Sequence, residues 1–301
     1  MTGKVAVVGS FMMDLVIRAP RRPATGETLV GSGFDVFLGG KGCNQAIAAA
    51  RAGASTAMVG RLGADDFGAR FLECLATEGI DATGVVVDEE EGTGVASPLV
   101  EDDGNNSIVI IPRANHRTTE ADVGAATSLL AAADVLLLQL ELPLEVVVAA
   151  ARVAKAAGTV VVLNPAPAIA DLSAFAGLID LLVPNEVEAA GLTGLDDPVA
   201  AGQQLRTELG CDVIVTVGEA GIWLVDADEP VHLEAHVVDA VDTVGAGDAF
   251  CGALGARLAA GDDLRAAATY ANAAAAVSVT RPGAEPAMPT AAEIAQLLST
   301  V

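Results

Sequence analysis

Short apolar runs alternate along the chain with longer segments whose apolar residues recur at helical spacing. Val5 to Val8, Thr56 to Val59, Val135 to Leu138, Thr159 to Leu163, Leu181 to Val183 and Val213 to Val217 are near-continuous apolar runs of strand length. Strands of that kind are buried on both faces, as parallel strands covered by helices are. The helical segments are Cys43 to Ala52, stopped by Gly53, and Asp65 to Glu78, stopped by Gly79. Pro143 to Ala157, Asn185 to Gly191, Pro198 to Leu209 and the alanine-rich stretches Gly245 to Ala260 and Leu264 to Thr280 follow. This β-then-α rhythm predicts an α/β protein with a parallel sheet between helical layers.

Two regions break the rhythm. Gly31 to Leu38 carries the β-type residues Phe34, Val36 and Phe37, after a short extended stretch at Asp14. Val95 to Val100 and Ser107 to Ile111 flank the polar segment 101–106, which is a hairpin signal. Together they predict a small separate sheet beside the main one. No internal repeat, linker or low-complexity tract interrupts the 301 residues, a length that fits one large domain with a small appendage.

Composition removes several function classes. Apolar residues make up 52% of the chain, yet none of the runs approaches the roughly 18 needed for a membrane span. Met1 to Val8 lacks a basic region followed by an apolar core and a cleavage site, so a cytoplasmic location is expected. A net charge of −24 with few clustered basic residues argues against nucleic-acid or anionic-membrane binding, since phosphate contacts need Lys and Arg. Lysine occurs only at Lys4, Lys41 and Lys155, which makes Lys41 conspicuous. Cys43, Cys74, Cys211 and Cys251 are scattered without a CxxC pair, so free thiols are expected rather than a zinc site or disulfides. His116, His232 and His236 fall outside every motif and read as surface or loop residues.

Three segments carry chemistry. The sharpest is Asp242-Thr243-Val244-Gly245-Ala246-Gly247-Asp248-Ala249-Phe250, between a β-type stretch (His236 to Val241) and a long helical run. Glycines at a helix start leave backbone amides open to an anion. An aspartate in the first turn then faces whatever those amides hold, an arrangement suited to phosphoryl transfer. Read alone, the same residues also describe an ordinary helix N-terminus with a dipole-complementing Asp. The third glycine of a dinucleotide fingerprint is missing, and no P-loop occurs. The second segment is Gly39-Gly40-Lys41-Gly42-Cys43-Asn44-Gln45, either a ligand-approach turn or a plain strand-to-helix turn. The third is Asn185-Glu186-Val187-Glu188, in which Asn185 and Glu188 share a helix face. They either hold a water-bound Mg²⁺ beside phosphates or form a helix capping box.

These segments, in this order, behind a Gly9-Ser10…Asp14 start, closely resemble the ribokinase (phosphofructokinase-B) family of sugar kinases from about Val5 to Pro289. Leu140-Glu141, Leu163-Asn164-Pro165-Ala166-Pro167-Ala168 and Pro184-Asn185-Glu186-x-Glu188 are similar to the ribokinase branch in particular. The resemblance implies a three-layer αβα sandwich with a mostly parallel central sheet, one domain over 1–301, and a small β-sheet lid formed by segments near 12–38 and 93–112. It also implies a homodimer through paired lids, ATP as phosphate donor and Mg²⁺. Asp248 falls on the position of the general base, and Gly245, Ala246 and Gly247 on the anion hole. Met12, Asp14, Gly40, Lys41, Asn44 and Glu141 fall on sugar-contacting positions. Asn185 and Glu188 match the phosphate and Mg²⁺ motif; Thr216, Gly218 and Gly221 match the nucleotide loop; Asn272 matches a position near the adenosine.

Two departures matter. The family's monovalent-cation positions correspond to Asp242, Val244, Ser278, Arg281 and Gly283, but the usual last serine is Ala287, which puts K⁺ activation in doubt. Ribokinases usually carry Asn two residues before the substrate Asp, and here that residue is Met12, as in 2-deoxyribose kinases. A thioether cannot serve a sugar hydroxyl as an amide does. The expectation is therefore a pentose 5-kinase with 2-deoxyribose ahead of ribose. A nucleoside kinase ranks lower because aromatics are only 3%, and a non-catalytic binding protein is disfavoured by the intact Asp248 segment.

Overall fold

The computed structural model describes residues 2–103 and 105–300; Met1, Val301 and Gly104, the last inside the predicted 101–106 turn, lie outside the described residues. The chain opens with β1 (Lys4–Val8), β2 (Met12–Ala19), β3 (Gly33–Gly39) and α1 (Lys41–Arg51). β4 (Ser55–Gly63), α2 (Asp66–Thr77) and β5 (Asp81–Asp88) precede the hairpin β6 (Gly94–Glu101) and β7 (Asn106–Ile111). Two short helices, α3 (Glu120–Ala125) and α4 (Thr127–Ala131), lead into β8 (Val135–Leu138), α5 (Leu144–Ala157), β9 (Val160–Leu163) and β10 (Leu181–Leu182). Then come α6 (Glu186–Thr193), α7 (Pro198–Leu209), β11 (Asp212–Thr216), β12 (Ile222–Val225) and β13 (Val231–Leu233). The chain finishes with α8 (Ala246–Ala259), α9 (Leu264–Ser278) and α10 (Ala291–Leu298).

Nine strands form the main sheet in the order β13-β12-β11-β10-β9-β8-β1-β4-β5. It is parallel from β11 to β5, and β12 and β13 add an antiparallel edge. Alternation along a strand sends successive side chains to opposite faces. In β1, Val5 and Val7 enter one core and Ala6 and Val8 the other. The first core lies against α1, α8 and α9, whose buried stripes are largely small residues, with alanine dominant in α9. The second lies against α5 and α7. This is the expected αβα sandwich.

The small sheet is β3-β2-β6-β7. In its register Met12 faces Gly39 and Gly94, while Asp14 faces Phe37 and Ala96. Cross-strand partners share a face, so Met12 and Asp14 share theirs with the small residues Gly39, Gly94 and Ala96 and with the larger Phe37. On the opposite face, Ile17, Phe34, Val109 and Ile111 are exposed.

Some sequence expectations need correction. His236 to Val241 forms no strand; the segment runs unpaired from β13 toward α8. Its apolar residues include Val237 and Val241, both largely exposed. β5, β12 and β13 were not anticipated, nor were α3, α4 and α10. β5 is interrupted by Gly84 and lies at the sheet edge, so its apolar pattern is weak. The strand expected from Gly31 begins at Gly33. His116 and His232 are exposed and His236 partly so, as expected of surface and loop residues. All four cysteines are free. Among the described residues no helix is long and apolar enough to cross a membrane.

Candidate active site

The site forms where the sheet reverses its winding. β1 lies between β4 and β8, and in open α/β sheets ligands bind beyond the carboxyl ends of strands at such a switch point. The residues that follow those strand ends are Ser10 after β1, Gln139 and Glu141 after β8, Asn164 after β9, Asn185 after β10 and Thr216 at the end of β11. A cleft of about 210 Å³ opens there. It is lined by Lys41, Asn164, Asn185, Glu188 and Thr216 together with Thr243, Gly245, Gly247, Asp248 and Cys251.

Asp248 reaches this cleft because α1 and α8 touch backbone to backbone. A Cβ added to Gly252 would lie 2.4 Å from Ala48 Cβ and 2.6 Å from the Gln45 carbonyl oxygen. Asp248 is one turn before Gly252, and Asn44 and Gln45 are one turn before Ala48, so the crossing brings their side chains together. Asn44 Nδ2 donates to Asp248 Oδ2 at 3.0 Å, and Gln45 Nε2 donates to Asp248 Oδ1 at 3.0 Å. All three are buried, Asp248 being 6% exposed. Asn44 Oδ1 is buried without a hydrogen-bond partner among the described residues, leaving an acceptor for a ligand hydroxyl.

A cluster of carboxylates surrounds this pair. Glu141 accepts from the Ser10 hydroxyl and from the Lys41 backbone amide at 2.9 Å. That bond is made at the first residue of α1, just after Gly40, whose φ of 88° suits glycine. Burial, together with the Glu141 and Asp248 carboxylates, pushes the Asp14 carboxyl up to about 7. Asp14 also lies close against the residue paired with Met12: a Cβ on Gly39 would meet Asp14 Oδ2 at 2.4 Å. Burial works to lower the Lys41 ammonium, but Asp248, Glu141 and Glu188 outweigh it and its pKa rises, so Lys41 stays charged. The Cys251 thiol is pushed up by burial and stays protonated.

Asn185 and Glu188 make the reciprocal capping box that the sequence offered as one option. Asn185 Oδ1 accepts from the Glu188 amide at 2.8 Å, and Glu188 Oε2 accepts from the Asn185 amide at 2.9 Å. The box also aims Glu188 into the cleft, where burial raises its carboxyl against the opposing pull of the Asn185 amide and Lys41. The two readings of this motif are therefore compatible.

Gly245 caps α8 in the left-handed region at φ 78°. The first-turn amides of a helix have no preceding turn to bond. Ala246 is a partial exception, since its amide donates to the Thr243 carbonyl at 3.3 Å. The expected cation positions are brought together in part. Asp242 Oδ1 accepts from the Val244 amide at 3.0 Å and Oδ2 from the Gly283 amide at 2.9 Å. The Ser278 hydroxyl is turned onto the Ala275 carbonyl, the Arg281 side chain pairs with Glu293 at 2.8 Å, and Ala287 is fully buried.

Thr216, which also lines the cleft, belongs to the end of β11, and its amide donates to the Pro184 carbonyl at 3.0 Å. Gly218 and Gly221 both have positive φ in the following turn, and a Cβ on Gly221 would lie 2.1 Å from the Leu233 carbonyl. Asn272 does not point freely into the cleft: its Nδ2 donates to the Glu234 carbonyl at 2.8 Å and anchors the segment after β13. Ser10, Asn164, Thr243 and Cys251 line or brace the site without having been assigned roles from sequence, and Gln45 was named only as part of its motif. Gln139 was missed altogether, although one amide closing the apolar run Val135 to Leu138 is itself a signal.

Comparison with known proteins agrees with this architecture. The pfkB family carbohydrate kinase profile matches residues 2–291. The chain is 38% identical over 299 residues to a ribokinase of Haemophilus influenzae, covering 98% of each chain. It is 37% identical over 301 residues to a deoxyribokinase of Salmonella typhi, again covering 98% of each. Among solved structures, a Thermotoga maritima ribokinase superposes with a TM-score of 0.91 at 34% identity, covering 99% of both chains. An Arabidopsis thaliana ribokinase complexed with ribose and ATP gives 0.90 at 31% identity, with the same coverage. The family match over nearly the whole length and these relatives, together with the cleft at the switch point, show that the chain belongs to the pfkB family of carbohydrate kinases.

Proposed function

We propose that the protein is an ATP-dependent pentose kinase that transfers the γ-phosphoryl group to the 5-hydroxyl of a furanose, with 2-deoxy-D-ribose ahead of D-ribose. The observation that carries this reading is Asp248. It is a buried carboxylate in the first turn of α8, beside the amide-lined helix start and held on both oxygens by amide donors. Each carboxylate oxygen has a second lone pair, so Asp248 retains an acceptor for a hydroxyl proton. In the reaction the sugar O–H proton passes to Asp248, the oxygen forms a bond to the γ-phosphorus, and the bond to the β-phosphate oxygen breaks to release ADP. The amides of Gly245, Ala246 and Gly247 face the charge that develops. Asp14, Gly40, Lys41, Asn44 and Glu141 hold the sugar hydroxyls, and the free acceptor on Asn44 suits that task.

Thr216, Gly218, Gly221 and Asn272 form the nucleotide side, where Asn272 acts by anchoring the segment after β13. Glu188, with Asn185 behind it, fits Mg²⁺: a partly buried carboxylate of raised pKa facing the cleft gains from a cation. Mg²⁺ supplies charge neutralisation between the phosphates. A monovalent cation fits less well. The Asp242 carboxylate already accepts from two amides, and position 287 offers no side-chain oxygen. The small sheet serves as the lid. Its outer face, with Ile17, Phe34, Val109 and Ile111 exposed, supports a homodimer formed through paired lids. The setting is the cytoplasm.

The sugar preference rests on Met12. It shares the face of β2 with Asp14, is 3% exposed, and belongs to neither hydrophobic core. A hydroxyl facing the thioether loses its partner, at a cost of about 1–3 kcal/mol, or roughly 5- to 150-fold in kcat/KM. An ordinary ribokinase is the second reading, favoured by Asp14, Lys41 and Asn44 alone holding ribose. The deciding experiment is kcat/KM for 2-deoxyribose and ribose, in wild type and Met12→Asn. Wild-type preference for 2-deoxyribose that shifts toward ribose in the variant supports the reading. A ribose preference indifferent to the substitution overturns the Met12 argument, and turnover of neither sugar overturns the pentose assignment.

A further inference from the structure

Behind Asp248 and its Gln45 donor runs a line of buried amides whose continuation none of the assigned roles uses. Gln45 Nε2 donates to Asp248 Oδ1 at 3.0 Å. Gln139 Nε2 donates to Gln45 Oε1 at 2.6 Å. Gln45 Nε2 also reaches Asn164 Oδ1 at 3.3 Å, and Asn164 Nδ2 donates to the Val183 carbonyl at 2.9 Å. Gln45 and Gln139 are each 1% exposed.

The polarity of this line follows from its end. An ionised carboxylate only accepts, so Gln45 must turn its NH₂ to Asp248 and its oxygen away. Gln139 must then turn its NH₂ to that oxygen. The remaining acceptor, Gln139 Oε1, lies against the backbone at Gly9, where a Cβ would come within 2.2 Å of it, and it has no partner among the described residues. A buried acceptor without a partner is unfavourable. The arrangement persists because reversing either amide would set oxygen against oxygen. Glycine at position 9 admits Gln139, and the close α1–α8 crossing at Gly252 brings in Gln45.

We infer that Gln139 and Gln45 form an amide relay that fixes the rotation of the Asp248 carboxylate, both acting as positioning residues for phosphoryl transfer. The inference rests on the reading of Asp248 as the base. Gln45 holds Oδ1, so that Oδ2, shared with Asn44, is the oxygen presented to the sugar hydroxyl. Gln139 touches neither Asp248 nor the ligand cleft. Its effect on the rate passes through Gln45 alone.

The test compares Gln45→Met, Gln139→Met and the double variant, each also in an Asp248→Asn background, using ATP and the better of the two pentoses. Methionine preserves side-chain length in these apolar surroundings. Gln45→Met is expected to lower kcat about 10- to 100-fold, the scale on which misplacing a catalytic group acts, with both KM values little changed. Gln139→Met gives a smaller loss that disappears when Gln45 is already Met. In the Asp248→Asn background neither substitution lowers the residual rate further. A purely structural role would instead change KM and stability, and its effects would persist without the base. Wild-type kcat in Gln139→Met overturns the relay, and if Gln45→Met does not fold, that variant alone decides. Full activity in Asp248→Asn removes the base reading itself. An inactive Asp248→Asn with unaffected glutamine variants removes only the relay.

Discussion

Replacing Asp14 by Asn should stabilise this protein and impair it together, with a stabilisation that depends on pH. The carboxyl of Asp14 is raised from an ordinary 3.8 to about 7 by burial and by the Glu141 and Asp248 carboxylates. The folded state therefore holds a proton that the unfolded chain releases near pH 4. A raised pKa of this kind leaves stability intact below the unfolded value and erodes it as pH climbs to about 7, after which the loss is complete. At 1.36 kcal/mol per unit, a neutral isostere recovers about 4 kcal/mol at pH 8 but only about 2 kcal/mol at pH 5. Asp14 is only partly buried, so solvent screening makes these upper figures. At about 2 °C per kcal/mol for a chain of this size, Tm should rise by up to about 8 °C at pH 8 and about half of that at pH 5. On the proposed reading the same substitution removes, at pH 8, a charged acceptor for sugar hydroxyls, a bond worth about 1.5–3 kcal/mol, and KM for the sugar at that pH should rise by roughly 10- to 100-fold. Thermal unfolding of both proteins at pH 5 and pH 8, followed by sugar KM, tests the two halves. A Tm difference equal at the two pH values, or a variant less stable than wild type at pH 8, would refute the electrostatic argument. Such trade-offs are common where a site is built from crowded like charges.

Two other outcomes follow from the same geometry. Gly252→Ala places a Cβ 2.4 Å from Ala48 Cβ and should cost about 1–3 kcal/mol while spreading α1 from α8, so kcat falls more than Tm alone explains; a destabilised variant with wild-type kcat would contradict this. Activity in K⁺ and in a large organic cation should differ little, because Ala287 withholds an oxygen and Asp242 is already engaged by two amides; strong K⁺ activation would show that Ala287 does not matter.

Where one interaction dominates, the sequence is readable. The apolar runs at Val5 to Val8 and Val135 to Leu138 correspond to β1 and β8, because a strand buried on both faces has no polar alternative. The helix ends expected at Ala157 and Leu209 match α5 and α7, each closed by a glycine, Gly158 or Gly210, in the left-handed cap. His236 to Val241 misled, since apolar β-type residues say nothing about whether a neighbouring strand exists to pair with. The Asn185 motif looked like a choice between cap and ligand site, and only the direction of the Glu188 side chain shows that one residue does both.

The contacts that assemble the site are of a different kind. Gly252 is unremarkable inside an alanine-rich helix, where glycine is ordinarily a cost. Its purpose depends on a backbone more than 200 positions away in sequence, from Gln45 to Ala49. Among the described residues, the side chains hydrogen-bonded to the Asp248 carboxylate are Asn44 and Gln45, both from the other motif. Asp242-to-Phe250 and Gly39-to-Gln45 are therefore one chemical unit split across the chain. Each alone has a bland reading, a capped helix or a tight turn, because each supplies half of a hydrogen-bonded pair. The half supplied by α1 is donors and the half supplied by α8 is an acceptor, so the pair is complementary in chemistry as well as in shape. On the proposed reading, that complementarity explains why the two motifs together specify a phosphotransferase site when neither does so alone.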